Sequence, residues 1–210
     1  MKSGPLVLSR MTVIIDEDVA IYKACRRIAP SVQFDLLHFY ALNEFLEWLE
    51  NNSPHVKGRQ AVACCLVLDP KLINRADQAR FIQMTFEMPK IYIGVQGASC
   101  ELSKLSKLGY FNFIAKPFPI ASLHEAIALA FSRHERNLLS SFEISRRFDQ
   151  LTRREYEVGQ LVTSGLTNQE ICLKLGISIQ TVKVHRANLI KKTQAASLAD
   201  LVRLFDNHRR

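Results

Sequence analysis

The chain has 210 residues, 28 Lys+Arg against 20 Asp+Glu for a net charge of +8, and it is 48% hydrophobic and 23% charged. That length supports two ordinary domains, each able to bury its own core, and that composition excludes a disordered or low-complexity chain. The longest apolar run, residues 61–68, is far too short to span a bilayer, and the N-terminal LVLSRMTVII is interrupted by Arg10 and lacks a cleavage pattern, so no membrane or export segment is expected. The five cysteines are odd in number and form no C-x-x-C pair, so they read as reduced thiols of a cytoplasmic protein, most of them in the core. The six histidines show no metal-ligand spacing.

Up to about residue 136, short apolar runs alternate with helical periods, which is the pattern of a parallel sheet with crossover helices. Strands are expected at Met11–Ile15, Gln33–His38, Val62–Leu68, Lys90–Ile93 and Tyr110–Ile114. Helices are expected at Val19–Ile28, Leu42–Asn51, around Ala76–Phe86, up to about Lys107, and from Ile120 through Arg136. Leu42, Phe45, Leu46 and Leu49 line one helix face, and Trp48 stands off that stripe, half exposed. Five such units make an α/β fold, a doubly wound five-stranded parallel sheet, whose sites lie at the carboxyl ends of its strands. Asp16 and Glu17 follow the first strand, Asp69 the third and Lys116 the fifth. Three carboxylates converging at one edge repel unless a hard cation such as Mg²⁺ lies between them, and a nearby lysine can neutralise a phosphoryl group on Asp69.

With IIDED, CLVLD and AKPF at these places, residues 11–131 resemble the receiver domain of two-component response regulators. The resemblance implies that Asp69 is the phosphoacceptor, that Asp16, Glu17 and Asp69 are Mg²⁺ ligands, and that Lys116 binds the phosphate. It also implies Phe113 as the switch aromatic, a Lys116-Pro117 bond that is often cis, and a sensor histidine kinase as partner. The chain departs from that family in three places. Gly94 stands where a Ser or Thr would bond the phosphoryl group, Pro70-Lys71-Leu72-Ile73-Asn74 replaces the usual loop, and the loop before the third strand is longer. Losing one charge-assisted hydrogen bond costs about 1.5–3 kcal/mol, which weakens coupling without abolishing transfer. Two modes of control therefore stand open. One is phosphorylation of Asp69. The other is a phosphorylation-independent domain that keeps Asp69 and Lys116 as an ion pair and senses a small molecule or binds a protein partner.

Residues 132–150 are polar and charged with a partial stripe of Leu138, Leu139, Phe142 and Ile144, and they read as a helical linker. The expected boundaries are thus 1–131, 132–150 and 151–210.

The basic excess is uneven: residues 144–210 hold 12 Lys+Arg and 6 Asp+Glu (+6), whereas residues 1–143 hold 16 and 14 (+2). In this basic part Thr152-x-x-Glu155 and Thr167-x-x-Glu170 fit the capping box at two helix starts, and Ser164-Gly165 and Gly176 supply stops. Ser178 caps the next helix, in which Val182, Leu189 and the methylenes of His185 or Arg186 face inward. A helix, a glycine turn and a second helix make a helix-turn-helix in a small all-α domain. The outward arc carries Gln180, Thr181, Lys183, Val184, Ala187, Asn188 and Lys191, residue types that neutralise phosphates, meet guanine or adenine edges, or touch a thymine methyl.

The LT-x-RE-x-EV opening, the GLTNQEI centre and the TVKVHRANL helix of residues 151–202 resemble the LuxR-type (FixJ/NarL) DNA-binding domain. By that resemblance Lys183 and Val184 fall where family members touch bases, while Ala187 offers only a methyl where some carry lysine. With Arg186 and Lys192 added, the candidate DNA-contacting set is Gln180, Thr181, Lys183, Val184, Arg186, Ala187, Asn188, Lys191 and Lys192. The terminal helix, Ser197 to about Phe205, matches the family's dimerisation helix, with Leu198, Leu201, Val202 and Phe205 as its stripe. The whole reads as a transcription regulator that binds double-stranded promoter DNA as a homodimer and engages RNA polymerase. No acid–base pair, nucleophile–His pair or Gly-rich nucleotide loop points to an enzyme.

Overall fold

The computed structural model describes residues 6–52, 60–95 and 112–208. The chain divides into two compact units, Met1–Leu138 and Leu139–Arg210. In the first, strands β1 (Val7–Ile15), β2 (Asp35–Phe39), β3 (Gln60–Leu68), β4 (Lys90–Val95) and β5 (Asn112–Lys116) form a parallel sheet of order β2-β1-β3-β4-β5. This is the doubly wound arrangement the alternating pattern predicts. Helices α1 (Val19–Val32), α2 (Leu42–Asn51), α3 (Gln78–Met84) and α4 (Ile120–Phe148) follow in chain order. The apolar stripe of α2 buries Leu42, Phe45, Leu46 and Leu49 as expected, with Trp48 half-buried beside them.

Two cores flank the sheet, because the side chains of each strand alternate between its faces. Ile14, Cys65, Val67, Ile91 and Ile93 pack with Ile21, Cys25 and Ile28 of α1 and Leu123, Ile127 and Phe131 of α4. On the other face Val13, Ile15, Leu66, Leu68 and Tyr92 pack with α2 and with Phe81 of α3. Cys64 and Cys65 are buried in β3, and burial pushes the Cys64 thiol up to about 12, so these are core residues rather than reactive thiols.

Several limits differ from expectation for identifiable reasons. β1 begins at Val7, and Val7 to Arg10 pair with Gln60 to Ala63. Arg10 looks like an interruption in sequence, yet its guanidinium donates to Glu135 Oε1 at 2.7 Å and to the Val32 carbonyl at 2.7 Å. α1 runs past Pro30 to Val32 and ends on Gln33, whose φ of 57° places it in the left-handed region and delays β2 to Asp35. α4 continues as one helix to Phe148 rather than stopping near Arg136. The Lys116-Pro117 bond is cis. The helix expected up to Lys107, the start of the fifth strand at Tyr110, and Cys100 lie outside the described residues.

The second unit holds α5 (Arg153–Thr163), α6 (Asn168–Leu175), α7 (Ile179–Thr193) and α8 (Leu198–His208). Both capping boxes are present, Ser178 caps α7, and Gly165 and Gly176 take positive φ. Val158, Val162, Ile171, Val182, Leu189, Leu201 and Phe205 form the core with Phe148. Gly159 is the tightest point. A Cβ there would lie 2.2 Å from Phe205 Cζ and 3.2 Å from Leu189 Cδ2, so the absent side chain sets how closely α5 meets α8. Among the described residues no helix is long and apolar enough to cross a membrane.

Candidate DNA interface and acidic pocket

α7 presents a mixed face because only Val182, Leu189 and Thr193 of its fifteen residues are buried. Gln180, Lys183, Val184, Ala187, Asn188 and Lys191 are exposed, with Val184 at 48%. A large apolar side chain half in water between two exposed polar neighbours is suited to lie against a groove. Thr181 is half-buried and shares a 2.8 Å hydrogen bond with the capping Ser178 hydroxyl, so it helps start the helix.

Two further members of the expected set are engaged within the domain. Lys192 Nζ donates to Glu155 Oε2 at 2.6 Å, and Glu155 is only 3% exposed. Burial pushes the Glu155 carboxyl up, but the Lys192 ammonium together with the Thr152 backbone and hydroxyl outweighs that and holds it below the usual range. Lys192 therefore locks the end of α7 to the start of α5 and is turned away from the exposed arc. Arg186 is half-buried and donates to Asn168 Oδ1 at 2.6 Å, tying α7 to the first residue of α6.

The expected dimerisation stripe on α8 divides in the same way. Leu201 is 1% exposed and Phe205 fully buried, and both belong to the core of their own domain, because the apolar side of α8 is what closes the bundle. Leu198, 53% exposed, and the half-buried Val202 remain at the surface.

In the first unit, the register pairs Ile15 with Leu68 and Val95 with Lys116, so Asp16, Asp69 and Lys116 gather at the carboxyl ends of β1, β3 and β5. Asp16 is buried at 4% exposure, and its Oδ1 accepts the Asp18 N–H at 2.7 Å. Its buried Oδ2 accepts no hydrogen bond and faces Lys116 Nζ at 3.6 Å, an oxygen that a hard cation would satisfy. Asp69 Oδ1 accepts the Lys71 N–H at 2.9 Å and caps the short turn Pro70–Leu72. His38 Nε2 lies 2.9 Å from the Asp16 carbonyl.

Two expectations are corrected here. Glu17 is exposed where the chain bends after β1, so it does not converge with Asp16, and among the described residues no group of three acidic, His or Cys side chains is close enough to hold a metal. Lys116 does not pair with Asp69. Its ion pairs are with Asp16 and with Asp18, each at 3.6 Å. Asp18 was overlooked because its sequence signal, a polar residue just before a helical period, marks a cap, and it does cap α1. Asn168 lies within the GLTNQEI motif, which assigns it no role of its own, and Gly159 shows in sequence only as a glycine inside a helical period. Gly94 leaves ordinary room: a Cβ would lie 3.5 Å from Phe113 Cε2 and 4.0 Å from Pro70 Cδ.

Comparison with known proteins agrees with both halves. Residues 149–205 match the family model of bacterial regulatory proteins of the luxR family. Response regulator protein TmoT of Ectopseudomonas mendocina is 30% identical over 200 residues, covering 92% of this chain and 86% of TmoT. Nodulation protein W of Bradyrhizobium diazoefficiens is 28% identical over 199 residues, covering 92% of this chain and 84% of that protein. Among solved structures, the response regulator StyR is 30% identical with a TM-score of 0.55, over 94% of this chain and 98% of StyR. A five-stranded parallel domain with carboxylates and a lysine at its strand ends, followed by a capped helix-turn-helix, thus has full-length relatives of the same design, and the chain belongs to the two-component response regulators with a LuxR-type DNA-binding domain, transcriptional regulators by family.

Proposed function

We propose that this regulator reads double-stranded promoter DNA through α7 and that phosphorylation of Asp69 sets its activity. The observation that carries the first part is the exposed row of Gln180, Lys183, Val184, Ala187, Asn188 and Lys191 on a helix whose other side is core. Lys183 and Val184 reach base edges, while Lys191 neutralises a backbone phosphate. Dimerisation uses Leu198 and Val202, and the units are a receiver through residue 131, a linker at 132–150 and the DNA-binding domain from 151. DNA as target places the protein in the cytoplasm, with a sensor histidine kinase upstream and RNA polymerase downstream.

For control, Asp69 accepts the phosphoryl group and Lys116 moves from Asp16 and Asp18 to neutralise it. Mg²⁺, when bound, would be held by Asp16 and Asp69 and would offset the charge of the phosphoryl oxygens. Asp16 Oδ2, buried without a hydrogen-bond donor, supports that reading. A second reading, favoured by the missing hydroxyl at Gly94, is a domain controlled by a ligand or protein partner without phosphorylation.

Intact mass and solution size after treatment with acetyl phosphate and Mg²⁺ separate the two, with Asp69→Ala alongside. A phosphoryl adduct on the wild type alone, with dimer formation, is the expected result. No adduct, with size and DNA binding unchanged, overturns phosphorylation control and favours the second reading.

A further inference from the structure

Arg186 sits on the helix that meets DNA, yet its guanidinium is turned toward α6, where Nη1 lies 2.6 Å from Asn168 Oδ1. This contact fixes more than a helix crossing. Arginine is only a donor, so the Asn168 atom facing it must be the amide oxygen, and the two N–H groups of Asn168 must point the other way. Asn168 is half-buried at the start of α6, and the Arg186 bond is its one side-chain hydrogen bond among the described residues. The neighbouring donors at that helix start are engaged differently. The Glu170 N–H bonds the Thr167 hydroxyl, and the Glu170 carboxylate takes the Thr167 N–H and hydroxyl. The Asn168 amide is therefore an oriented double donor whose N–H groups have no partner among the described residues.

We infer that Arg186 is a positioning residue that orients the Asn168 amide to donate to a DNA phosphate oxygen, so that α6 and α7 grip the duplex together. Phosphate oxygens are the acceptors a duplex presents at the rim of the groove, and a contact to them fixes register without carrying sequence information. Base reading then falls to Lys183 and Val184, while Arg186 acts only by holding the Asn168 amide in place. The inference rests on α7 being the helix that enters the groove.

The test uses the full chain and two labelled duplexes, one recovered from a randomised pool by selection with the wild type and one scrambled, titrated by fluorescence anisotropy over a range of salt. Asn168→Ala is expected to weaken both duplexes equally, by about tenfold, the effect of one hydrogen bond to a charged group. Its salt slope should stay unchanged, since the amide is neutral. Arg186→Lys should weaken binding as much as Arg186→Met although it keeps the charge, because a freely rotating ammonium lacks the rigid planar guanidinium that aims the single Nη1 bond at Asn168 Oδ1. The double variant Arg186→Met/Asn168→Ala should lose no more than either single variant. Wild-type affinity in Arg186→Lys, a salt slope reduced by about 0.9 in Arg186→Met, or additive losses in the double variant would each overturn the inference and make Arg186 a direct phosphate contact. Asn168→Ala lies at a helix start and removes no core contact, so it remains informative if Arg186→Met does not fold. Lys183→Ala separates the underlying premise: if it leaves selection between the two duplexes intact, α7 is not the reading helix, whatever the pair does.

Discussion

Gly159→Ala isolates the close approach of α5 and α8. Two effects of opposite sign compete at this position. Alanine is favoured over glycine inside a helix by about 1 kcal/mol, so at an open site the substitution would stabilise. Here the new Cβ would meet Phe205 at 2.2 Å and 2.9 Å and Leu189 at 3.2 Å, and the Phe205 ring is fully buried against Phe148 and Tyr156. The ring must move by more than an ångström into filled space, which places the cost at or above the upper end of the range for overpacking, about 3 kcal/mol. The net expectation is a loss of about 2 kcal/mol, or roughly 8–16 °C in Tm for a unit of this size. Differential scanning calorimetry of the full chain resolves the transition of this unit, and Phe205→Leu in the same background should return much of the loss by opening space. A Gly159→Ala chain as stable as wild type or more so, or a double variant that adds the two losses, would refute the claim that the absent side chain sets the helix spacing.

Glu155→Gln should lower the stability of the same unit by about 1–3 kcal/mol at neutral pH, because it leaves the Lys192 ammonium without its anion. The folded-state carboxyl lies below its unfolded value of 4.5, so this contribution is present above pH 4.5 and is lost as pH falls through the folded value. Thermal melts of both chains should accordingly converge in acid. Lys90 is buried at the head of β4, donating to the Thr85 and Met88 carbonyls, and burial lowers its ammonium from 10.5 to about 8. Between those pH values only the unfolded chain holds that proton, so the stability of the wild type relative to Lys90→Met should rise by about 3 kcal/mol from pH 8 to 10.5. A flat difference in denaturant titrations across that window would show that the ammonium is not desolvated. Gly94→Ser has room beside Phe113 and supplies a donor for phosphoryl oxygen, so it should raise the yield of the Asp69 adduct with acetyl phosphate about tenfold while leaving Tm nearly unchanged.

What the sequence disclosed, it disclosed through local rules. The two Thr-x-x-Glu boxes, the Ser178 cap, the positive-φ Gly165 and Gly176, and the stripe of α2 all involve residues within a few positions of one another, and all stand as expected. The parallel sheet followed from strands that alternate with helices. The misreadings share a different cause. Arg10 reads as a charge interrupting an apolar stretch until Glu135 is placed beside it, and Lys192 reads as a groove-facing charge until Glu155 is. An amphipathic stripe such as that of α8 shows that a helix covers something, yet it is silent on whether the partner is the same chain or another. Gly159 offered one hint, a costly glycine within an otherwise regular helical period, which usually marks close packing. Asp18 and Glu17 stand side by side in sequence, and only the bend after β1 decides which of them reaches Lys116.

Whether α7 is the element that reads DNA is decided by one titration. Full-length wild type and Lys183→Ala are compared on a duplex selected by the wild type and on a scrambled duplex at a fixed salt concentration. Lys183→Ala should lose about tenfold or more on the selected duplex and little on the scrambled one, as a lost base contact of about 1–3 kcal/mol requires. Equal loss on both, or none on either, would show that Lys183 on α7 does not read bases.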